Sequence, residues 1–126
     1  MEYLDFNLPR GDKFKLPADW WNEAGMQTFQ RQSASYRFQR SPDILLVRID
    51  SIEPLRLRHR LDKGGLRRRS FVSILRKIAS ESAMPPIQLE ELPPDGEYAY
   101  GIHRGTHRFY ASVAVGFSHI PAVIIE

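Results

Sequence analysis

Residues 85–125 decide the fold; they read PPIQLEELPPDGEYAYGIHRGTHRFYASVAVGFSHIPAVII. A short apolar run at 87–92 is followed by a turn of prolines, aspartate and glycine at 93–96. A second run at 97–102 then follows, in which tyrosines alternate with other residues. Two short runs joined by a turn of this composition are typical of a β-hairpin. We therefore predict two antiparallel strands in this part of the chain.

A helix and a closing strand are predicted for the rest of this stretch. The helix begins after Gly105, and its apolar face consists of Phe109, Tyr110, Val113 and Ala114. Gly116 follows this face, and glycine is the residue that most often stands just past the end of a helix. The β-branched run at 121–125 predicts the final strand.

Two further elements precede this stretch. The aliphatic run at 44–49 predicts a buried strand. At 66–82, apolar residues recur at helical spacing with basic residues between them, which predicts an amphipathic helix. The predicted order is strand, helix, strand, strand, helix, strand. We expect an α+β domain over residues 44–126, in which helices pack on a small mixed sheet.

Residues 1–43 differ from the rest of the chain. They hold eight of the 14 aromatic residues but no periodic aliphatic pattern, and we interpret them as an N-terminal extension that wraps the core. Proline is tolerated in the first turn of a helix and glycine often ends one, so Pro17 and Gly25 predict a short helix between them. We expect Trp20 and Trp21 in this helix to cover the core, with stacking on a ligand as the alternative.

The composition fits one folded domain. Of the 126 residues, 42% are hydrophobic and 26% are charged, which provides enough apolar material for a core. The chain has no cysteine, which excludes a disulfide framework, a thiolate metal site and a cysteine nucleophile. The first residues include acids and no long apolar run, which argues against a secretory signal, and no apolar run approaches the ~20 residues of a membrane span. We expect a cytoplasmic protein without a membrane partner.

The positive charge is concentrated in one block. Residues 56–77 contain nine of the 18 basic residues and a single acid, Asp62. Most of the basic residues are arginines, whose guanidinium groups make two-point contacts with phosphate and carboxylate. The block is therefore either a solvated basic face or a surface that faces phosphate.

The most informative residues for chemistry are 102–110, IHRGTHRFY, where the predicted strand turns into the predicted helix. The first turn of a helix presents unpaired backbone N–H groups and the positive end of the helix dipole, which favour anions. Thr106, His107 and Arg108 add a hydroxyl, an imidazole and a guanidinium, and Gly105 allows a sharp turn or a close approach. The alternative is purely structural, with Thr106 as an N-cap and the other two side chains as satisfied polar groups.

Residues 44–126 resemble the ParB/sulfiredoxin superfamily. Its members carry a helix that ends in a proline–isoleucine strand, a hairpin and a glycine-containing motif with His/Arg and Arg at a helix N-terminus. An alanine-rich helix, a glycine and an Ile-Pro-x-Val strand follow. The corresponding segments of this chain are PPIQLEEL, EYAYGI and GTHRFYASVAVGFSHIPAVII. The resemblance implies a fold of this type and a nucleotide-phosphate site, with ATP or CTP as the nucleotide and Mg²⁺ as its accompanying ion.

The resemblance places Gly105, Thr106, His107 and Arg108 at the phosphates. Thr106 stands where sulfiredoxins have their catalytic cysteine. A hydroxyl does not replace a thiolate in that chemistry, which excludes sulfiredoxin activity. ParB proteins carry further modules that this sequence does not contain, so we do not expect a complete partition protein.

The resemblance also extends the expected site to the preceding helix. Ser73 aligns with the family's phosphate-side helix, and Ser70 aligns with a nucleotide-contacting lysine. The neighbouring Arg67, Arg68 and Arg69 are expected to compensate for the missing lysine. These five residues complete the predicted nucleotide-binding set.

The reaction is left open by the sequence, and so is the question whether the domain is an enzyme. A nucleotide hydrolase or a small-molecule kinase needs a general base near the phosphates, and the candidates are Glu53, Asp50 and Asp62. Spacing singles out none of them. We expect no metal site, because a glycine interrupts the pair His103 and His107 and no third ligand is evident.

Two other functions stay open. The first is a nucleic-acid-binding module that uses the arginine-rich block at 56–77, although the sequence contains no helix-turn-helix, RNA-binding aromatic motif or zinc finger. The second is a non-catalytic regulatory or adaptor domain. In that case the aromatic N-terminal segment, with Trp20 and Trp21, would contact a protein partner.

Overall fold

A five-stranded mixed sheet forms the centre of the protein. The structure is a computed structural model, and it describes residues 2–55 and 66–126. In chain order the strands are β1 (Tyr3–Asn7), β2 (Lys13–Pro17), β3 (Leu45–Arg48), β4 (Ile52–Glu53), β5 (Ile87–Glu91), β6 (Tyr100–Arg104) and β7 (His119–Ile125). The sheet has the order β3-β7-β5-β6-β4. The β3/β7 and β5/β6 pairs are antiparallel, whereas β5/β7 and β4/β6 are parallel.

The longer helix pair is joined to this sheet through its second helix, Thr106–Val115, which packs on β5 and β7. The helices are α1 (Ala18–Glu23), α2 (Arg68–Ala79) and α3 (Thr106–Val115), and α2 packs directly against α3. Along β5, Ile87 and Leu89 are fully buried while Glu90 is exposed, as expected for a strand with one covered face. The predicted α+β class and mixed sheet are confirmed. Among the residues that the structure describes, no helix has the length and apolar character needed to cross a membrane.

Residues 85–125 form the predicted elements, although β6 begins at Tyr100 instead of residue 97 and β7 begins at His119 instead of residue 121. β5 and β6 form the predicted hairpin, with one register shift between Gln88 and Leu89. α3 begins after Gly105 and ends before Gly116, which adopts the left-handed conformation at φ 93°. α2 is shorter than the predicted 66–82 helix, because it ends at Ala79.

The aliphatic run at 44–49 is not the buried strand that the sequence predicts. It forms β3, which lies at the edge of the sheet and pairs with β7 alone. Leu45 and Leu46 are each 50% exposed, and Val47 is the buried residue of the strand. A continuous aliphatic run does not distinguish a central strand from an edge strand, because strand position depends on the pairing partner.

Residues from the N-terminal segment are part of the hydrophobic core. β1 and β2 form an antiparallel hairpin that the sequence did not predict, and β4 is a third unpredicted strand. The core residues contributed by the segment are Leu8, Phe14, Leu16, Ala24, Met26 and Tyr36. The division into an extension at 1–43 and a domain at 44–126 stays a prediction.

The two tryptophans of α1 pack against the core, as predicted. The Trp20 ring lies 6.0 Å from the Phe71 ring of α2, and the Trp21 ring lies 5.2 Å from that of Phe6. Both side chains are partly buried. Trp20 therefore joins the N-terminal segment to α2, whereas Trp21 packs against β1 within the segment.

Ser112 provides a test of the packing inside α3. Its side chain is fully buried, and its hydroxyl oxygen has no hydrogen-bond partner among the described residues. A buried hydroxyl without a partner costs about 1–3 kcal/mol, and alanine is also the better helix former. We expect Ser112→Ala to stabilise the protein by about 1 kcal/mol in a urea unfolding experiment. A loss of stability would show that the hydroxyl has a partner, such as a buried water.

Candidate phosphate-binding site

The turn from β6 into α3 requires glycine at position 105. Gly105 has φ 108°, which L side chains rarely adopt. A Cβ atom at this position would lie 2.5 Å from Cγ2 of Ile87 and 3.2 Å from its Cα. The backbone therefore packs directly on β5, and the first turn of α3 starts at the surface of the sheet.

The N-terminus of α3 has no side-chain cap. Gly105 is the N-cap residue and has no side chain to accept a hydrogen bond. The first hydrogen bond of the helix runs from the Phe109 N–H to the Gly105 carbonyl at 2.9 Å. The N–H groups of Thr106, His107 and Arg108 are thus without acceptors inside the helix. They carry the positive end of the helix dipole.

A second helix N-terminus lies beside the first. Arg67 is the N-cap of α2 and also makes no side-chain cap. Its backbone N–H donates to Nε2 of His107 at 2.8 Å, and its carbonyl accepts from the Phe71 N–H at 2.9 Å. The hydrogen bond to His107 brings the first turns of α2 and α3 together, although 40 residues separate them in the sequence.

His107 is held in its neutral form. Burial lowers the pKa of its imidazole below the ordinary value, and the nearby Arg67 charge lowers the pKa further. Because a backbone N–H can only donate, Nε2 is the acceptor in the contact with Arg67 and the ring proton lies on Nδ1. The ring plane lies next to Phe71, with the ring centres 6.5 Å apart.

Arg108 is oriented by a carbonyl group. Its Nη1 donates to the Pro85 carbonyl at 3.1 Å, and the Tyr36 hydroxyl donates to the same oxygen at 2.6 Å. Burial raises the pKa of Tyr36 well above its usual range, so this hydroxyl stays protonated. A guanidinium has five N–H donors, so several remain for a ligand once Pro85 is satisfied.

The α2 residues of the predicted set divide into two groups. Arg67, Arg69, Ser70 and Ser73 are exposed. Arg68 is also exposed, but it makes ion pairs with two acids of α1, with Asp19 at 3.2 Å and with Glu23, which lowers the pKa of Glu23. Within the described residues, the Arg68 charge is therefore directed at α1, and the exposed Arg67 and Arg69 are the arginines of this turn that remain for an anion.

Asp50 does not lie at this site. It follows β3, whose Arg48 pairs with His119 at the start of β7, beyond the C-terminal end of α3. The Arg48 guanidinium, 2.9 Å away, holds the pKa of the Asp50 carboxyl below its usual value. Asp50 is thus engaged in an ion pair at the opposite end of the helix.

Glu53 is also distant from the α3 N-terminus. It pairs with Gly101 of β6, four residues before Gly105, which corresponds to about 13 Å along a strand. Its exposed side chain lines a shallow groove with residues of the β5–β6 turn. The third candidate base, Asp62, lies outside the described residues, as does the 56–65 part of the arginine-rich block.

Three positions of the site were not anticipated from the sequence. Ile87 forms the surface on which Gly105 packs, and Tyr36 and the Pro85 carbonyl orient Arg108. The proline–isoleucine dipeptide predicted the start of a strand, but it did not predict the packing of Ile87 on Gly105 or the hydrogen bonds to the Pro85 carbonyl. No local pattern links Tyr36 to residues about 50 and 70 positions further along.

The arrangement is suited to an anion and offers little to a cation. The groups at the two helix ends are backbone N–H groups, an imidazole N–H and guanidinium groups, which match phosphate oxygens. In the described residues, no group of three or more His, Asp or Glu side chains is placed to hold a metal ion. Thr106 contributes a hydroxyl in the first turn of α3.

Comparisons with known proteins add information about the fold. No protein-family model matches the sequence, and no curated protein sequence matches it. Among solved structures, the chain is similar to a sulfiredoxin from Arabidopsis thaliana, with a TM-score of 0.51 and 21% sequence identity. The match covers 68% of this chain and 86% of the sulfiredoxin. The chain therefore has a sulfiredoxin-like α+β fold, which confirms the expected architecture.

Proposed function

We propose that this protein is a nucleotide-binding domain that holds phosphate groups at the N-terminus of α3. The observation that carries the proposal is the hydrogen bond between the Arg67 N–H and His107 Nε2, which places two uncapped helix N-termini side by side. Each end carries unpaired N–H groups and a positive dipole end. Phosphate is the ligand group that this combination favours most.

The side chains around the two helix ends support the same ligand. Arg108 lies in the first turn of α3 with donors left over after its bond to Pro85. Arg67 and Arg69 are exposed at the start of α2. Charge-assisted hydrogen bonds of this kind are about twice as strong as those between neutral groups. The close packing of Gly105 on Ile87 keeps the α3 end rigid.

The nucleotide we propose is ATP or CTP, and Mg²⁺ would arrive with its phosphates. The sulfiredoxin-like fold supports this choice as an analogy. The residues fit phosphate, but the two described candidate carboxylates, Asp50 and Glu53, lie away from α3. We therefore assign binding to this site and no reaction step through a metal ion.

The proposal is tested by nucleotide-dependent thermal stabilisation. ATP or CTP should raise the melting temperature of the wild-type protein, because a ligand at 100 times its Kd stabilises the folded state by about 2.7 kcal/mol. Arg108→Ala should weaken binding about 10- to 100-fold, since a hydrogen bond to a charged group contributes about 1.5–3 kcal/mol. At the same nucleotide concentration the stabilisation should then fall from about 2.7 to about 0.4–1.4 kcal/mol, with a correspondingly smaller shift of the melting temperature.

Lys77→Ala is the matched control for this experiment. Lys77 is an exposed basic residue in the last turn of α2, at the opposite end from Arg67. Its removal changes the net charge by the same amount as Arg108→Ala and should leave the nucleotide-induced shift unchanged. If neither ATP nor CTP stabilises the wild-type protein, or if both variants lose the shift equally, the proposal fails.

A further inference from the structure

We infer that His107 is a positioning residue, which uses its unprotonated Nε2 to fix the first turn of α2 beside the first turn of α3. The inference rests on the proposed function, because it assigns to this contact the assembly of the phosphate site. The contact is a hydrogen bond of 2.8 Å between side chain and backbone, and no other hydrogen bond between the described parts of α2 and α3 joins these two turns.

The backbone of Arg67 makes hydrogen bonds to both helices. Its N–H group points to α3, where His107 accepts it, and its carbonyl accepts the first hydrogen bond of α2 from Phe71. The N–H group of Arg67 is thus hydrogen-bonded to α3, and its carbonyl group is hydrogen-bonded within α2. A shift of the Arg67 N–H away from His107 would move the start of α2, including the exposed Arg69 and Ser70.

The imidazole ring is itself held in place. It lies against the fully buried ring of Phe71, at 6.5 Å between ring centres. Phe71 also packs against Trp20 of α1, with the ring centres 6.0 Å apart. His107 is half-buried at this position, so the ring cannot turn freely away from Arg67.

This geometry restricts what His107 can do for a ligand. Nε2 accepts a hydrogen bond, so it has no proton to give to a phosphate oxygen. Nδ1 carries the proton of the neutral ring and is the one ring donor that remains. His107 therefore acts on the site mainly through Arg67, and its own contact with a ligand is limited to Nδ1.

The contact depends on protonation. A proton on Nε2 would turn the acceptor into a donor facing the Arg67 N–H, and the bond would be lost. The charged group that faces the ring from α2 is the Arg67 guanidinium, and Phe71 adds no charge. On α3 itself, the neighbouring Arg108 is directed at Pro85. All of these surroundings favour the neutral ring.

The direction of the pH effect follows from the lowered pKa of His107. As pH falls through about 6.5, the ordinary pKa of histidine, the unfolded chain takes up a proton before the folded one does. The stability that His107 contributes is therefore complete above this pH. It is lost as pH falls towards the lower pKa of the folded protein.

Hydrogen exchange at the Arg67 amide tests the inference without any nucleotide. We expect the Arg67 amide of the wild type to be protected from exchange at pH 7.5. Its protection factor should fall at least tenfold in His107→Ala at the same pH, and at least tenfold in the wild type when the pH is made acidic. His107→Gln should retain much of the protection, because its side-chain oxygen can accept the same N–H. His103→Ala, which removes an exposed histidine of β6, is the control and should match the wild type.

The nucleotide affinity of the same variants tests whether the Arg67–His107 hydrogen bond supports phosphate binding. ATP should bind His107→Gln nearly as well as the wild type and His107→Ala at least tenfold more weakly. Equal Arg67 protection in His107→Ala and the wild type, or a wild-type ring protonated on Nε2 by ¹⁵N chemical shift, would overturn the inference. Failure of the wild type to bind either ATP or CTP would instead refute the proposed function, and the exchange result would still decide the positioning role.

Discussion

A protein that lacks residues 1–43 is expected to show no cooperative unfolding transition. The removed segment supplies five large side chains that are almost completely buried, namely Leu8, Phe14, Leu16, Met26 and Tyr36. Burial of such a side chain contributes about 1.5–3 kcal/mol, so together they contribute on the order of 10 kcal/mol. The net stability of a domain of this size is about 5–15 kcal/mol. A loss of this size is comparable to the whole net stability, so residues 44–126 alone are not expected to fold.

The truncation would remove aromatic contacts to the two helices that form the candidate site. The Phe14 ring is 5.0 Å from the ring of Tyr110 in α3, and Trp20 is 6.0 Å from Phe71 in α2. Both partners are fully buried in the complete protein. Without the N-terminal segment, apolar surface on both helices would face water, and we expect poor solubility as well as loss of structure.

Urea unfolding followed by circular dichroism, together with a ¹H–¹⁵N spectrum, measures this effect. Leu16→Ala should cost about 2–5 kcal/mol in the complete protein, whereas Lys15→Ala, on the opposite face of β2, should cost less than about 0.5 kcal/mol. A cooperative transition and a dispersed spectrum for residues 44–126 alone would contradict the account. In that case the N-terminal segment would be a dispensable extension.

Gly105→Ala is expected to destabilise the protein by about 2–5 kcal/mol. Two costs combine at this position. A side chain at φ 108° adopts a conformation that costs about 1–2 kcal/mol. The new Cβ would also lie 2.5 Å from Cγ2 and 2.7 Å from Cβ of Ile87, and such overpacking costs about 1–3 kcal/mol. Because the third close atom is backbone Cα of β5, the strand or the helix end must move.

Gly11→Ala separates these two costs. Gly11 has nearly the same φ, 103°, but among the described residues other than its chain neighbours no atom lies within 4 Å of the position that its Cβ would take. We therefore expect Gly11→Ala to lose only the conformational part, about 1–2 kcal/mol. Equal losses in the two variants, measured by urea unfolding, would show that Gly105 does not pack on β5 as described. Gly105→Ala should also weaken nucleotide binding, since the start of α3 is displaced.

The part of the fold that could be predicted is the part with strong local signals. The β5–β6 hairpin, α3 and β7 are separated by prolines and glycines whose roles are local, as the left-handed Gly105 and Gly116 demonstrate. The amphipathic pattern of α2 likewise reflects its one buried face. These features depend on residues a few positions apart, so the sequence contains them directly.

Other features arise only from long-range contacts. The edge position of β3 depends on its pairing with β7, and the two-residue strand β4 is too short to have a pattern of its own. The β1–β2 hairpin lacks a long aliphatic alternation. Arg68 finds its partner Glu23 at a distance of 45 residues. No local propensity encodes such partners.

The candidate site shows the same division. The glycine turn and the basic first turn of α3 could be predicted, because a helix N-terminus is a local feature. The hydrogen bond from Arg67 to His107 and the orientation of Arg108 by Pro85 could not. Both depend on how α2 and β5 pack around α3. The sequence predicts that Arg68 faces the phosphates, but its charge is directed at α1, because this contact also depends on how the helices pack.

Titration of ¹⁵N-labelled protein with Mg²⁺–ATP and Mg²⁺–CTP tests the central claim most directly. The claim is that phosphate binds at the adjoining N-termini of α2 and α3. We expect saturable shifts of the backbone amides of Thr106, His107 and Arg108, with smaller shifts at the start of α2 and none at Lys77. Amides of the α3 first turn that do not respond to either nucleotide, while the protein stays folded, would contradict the claim.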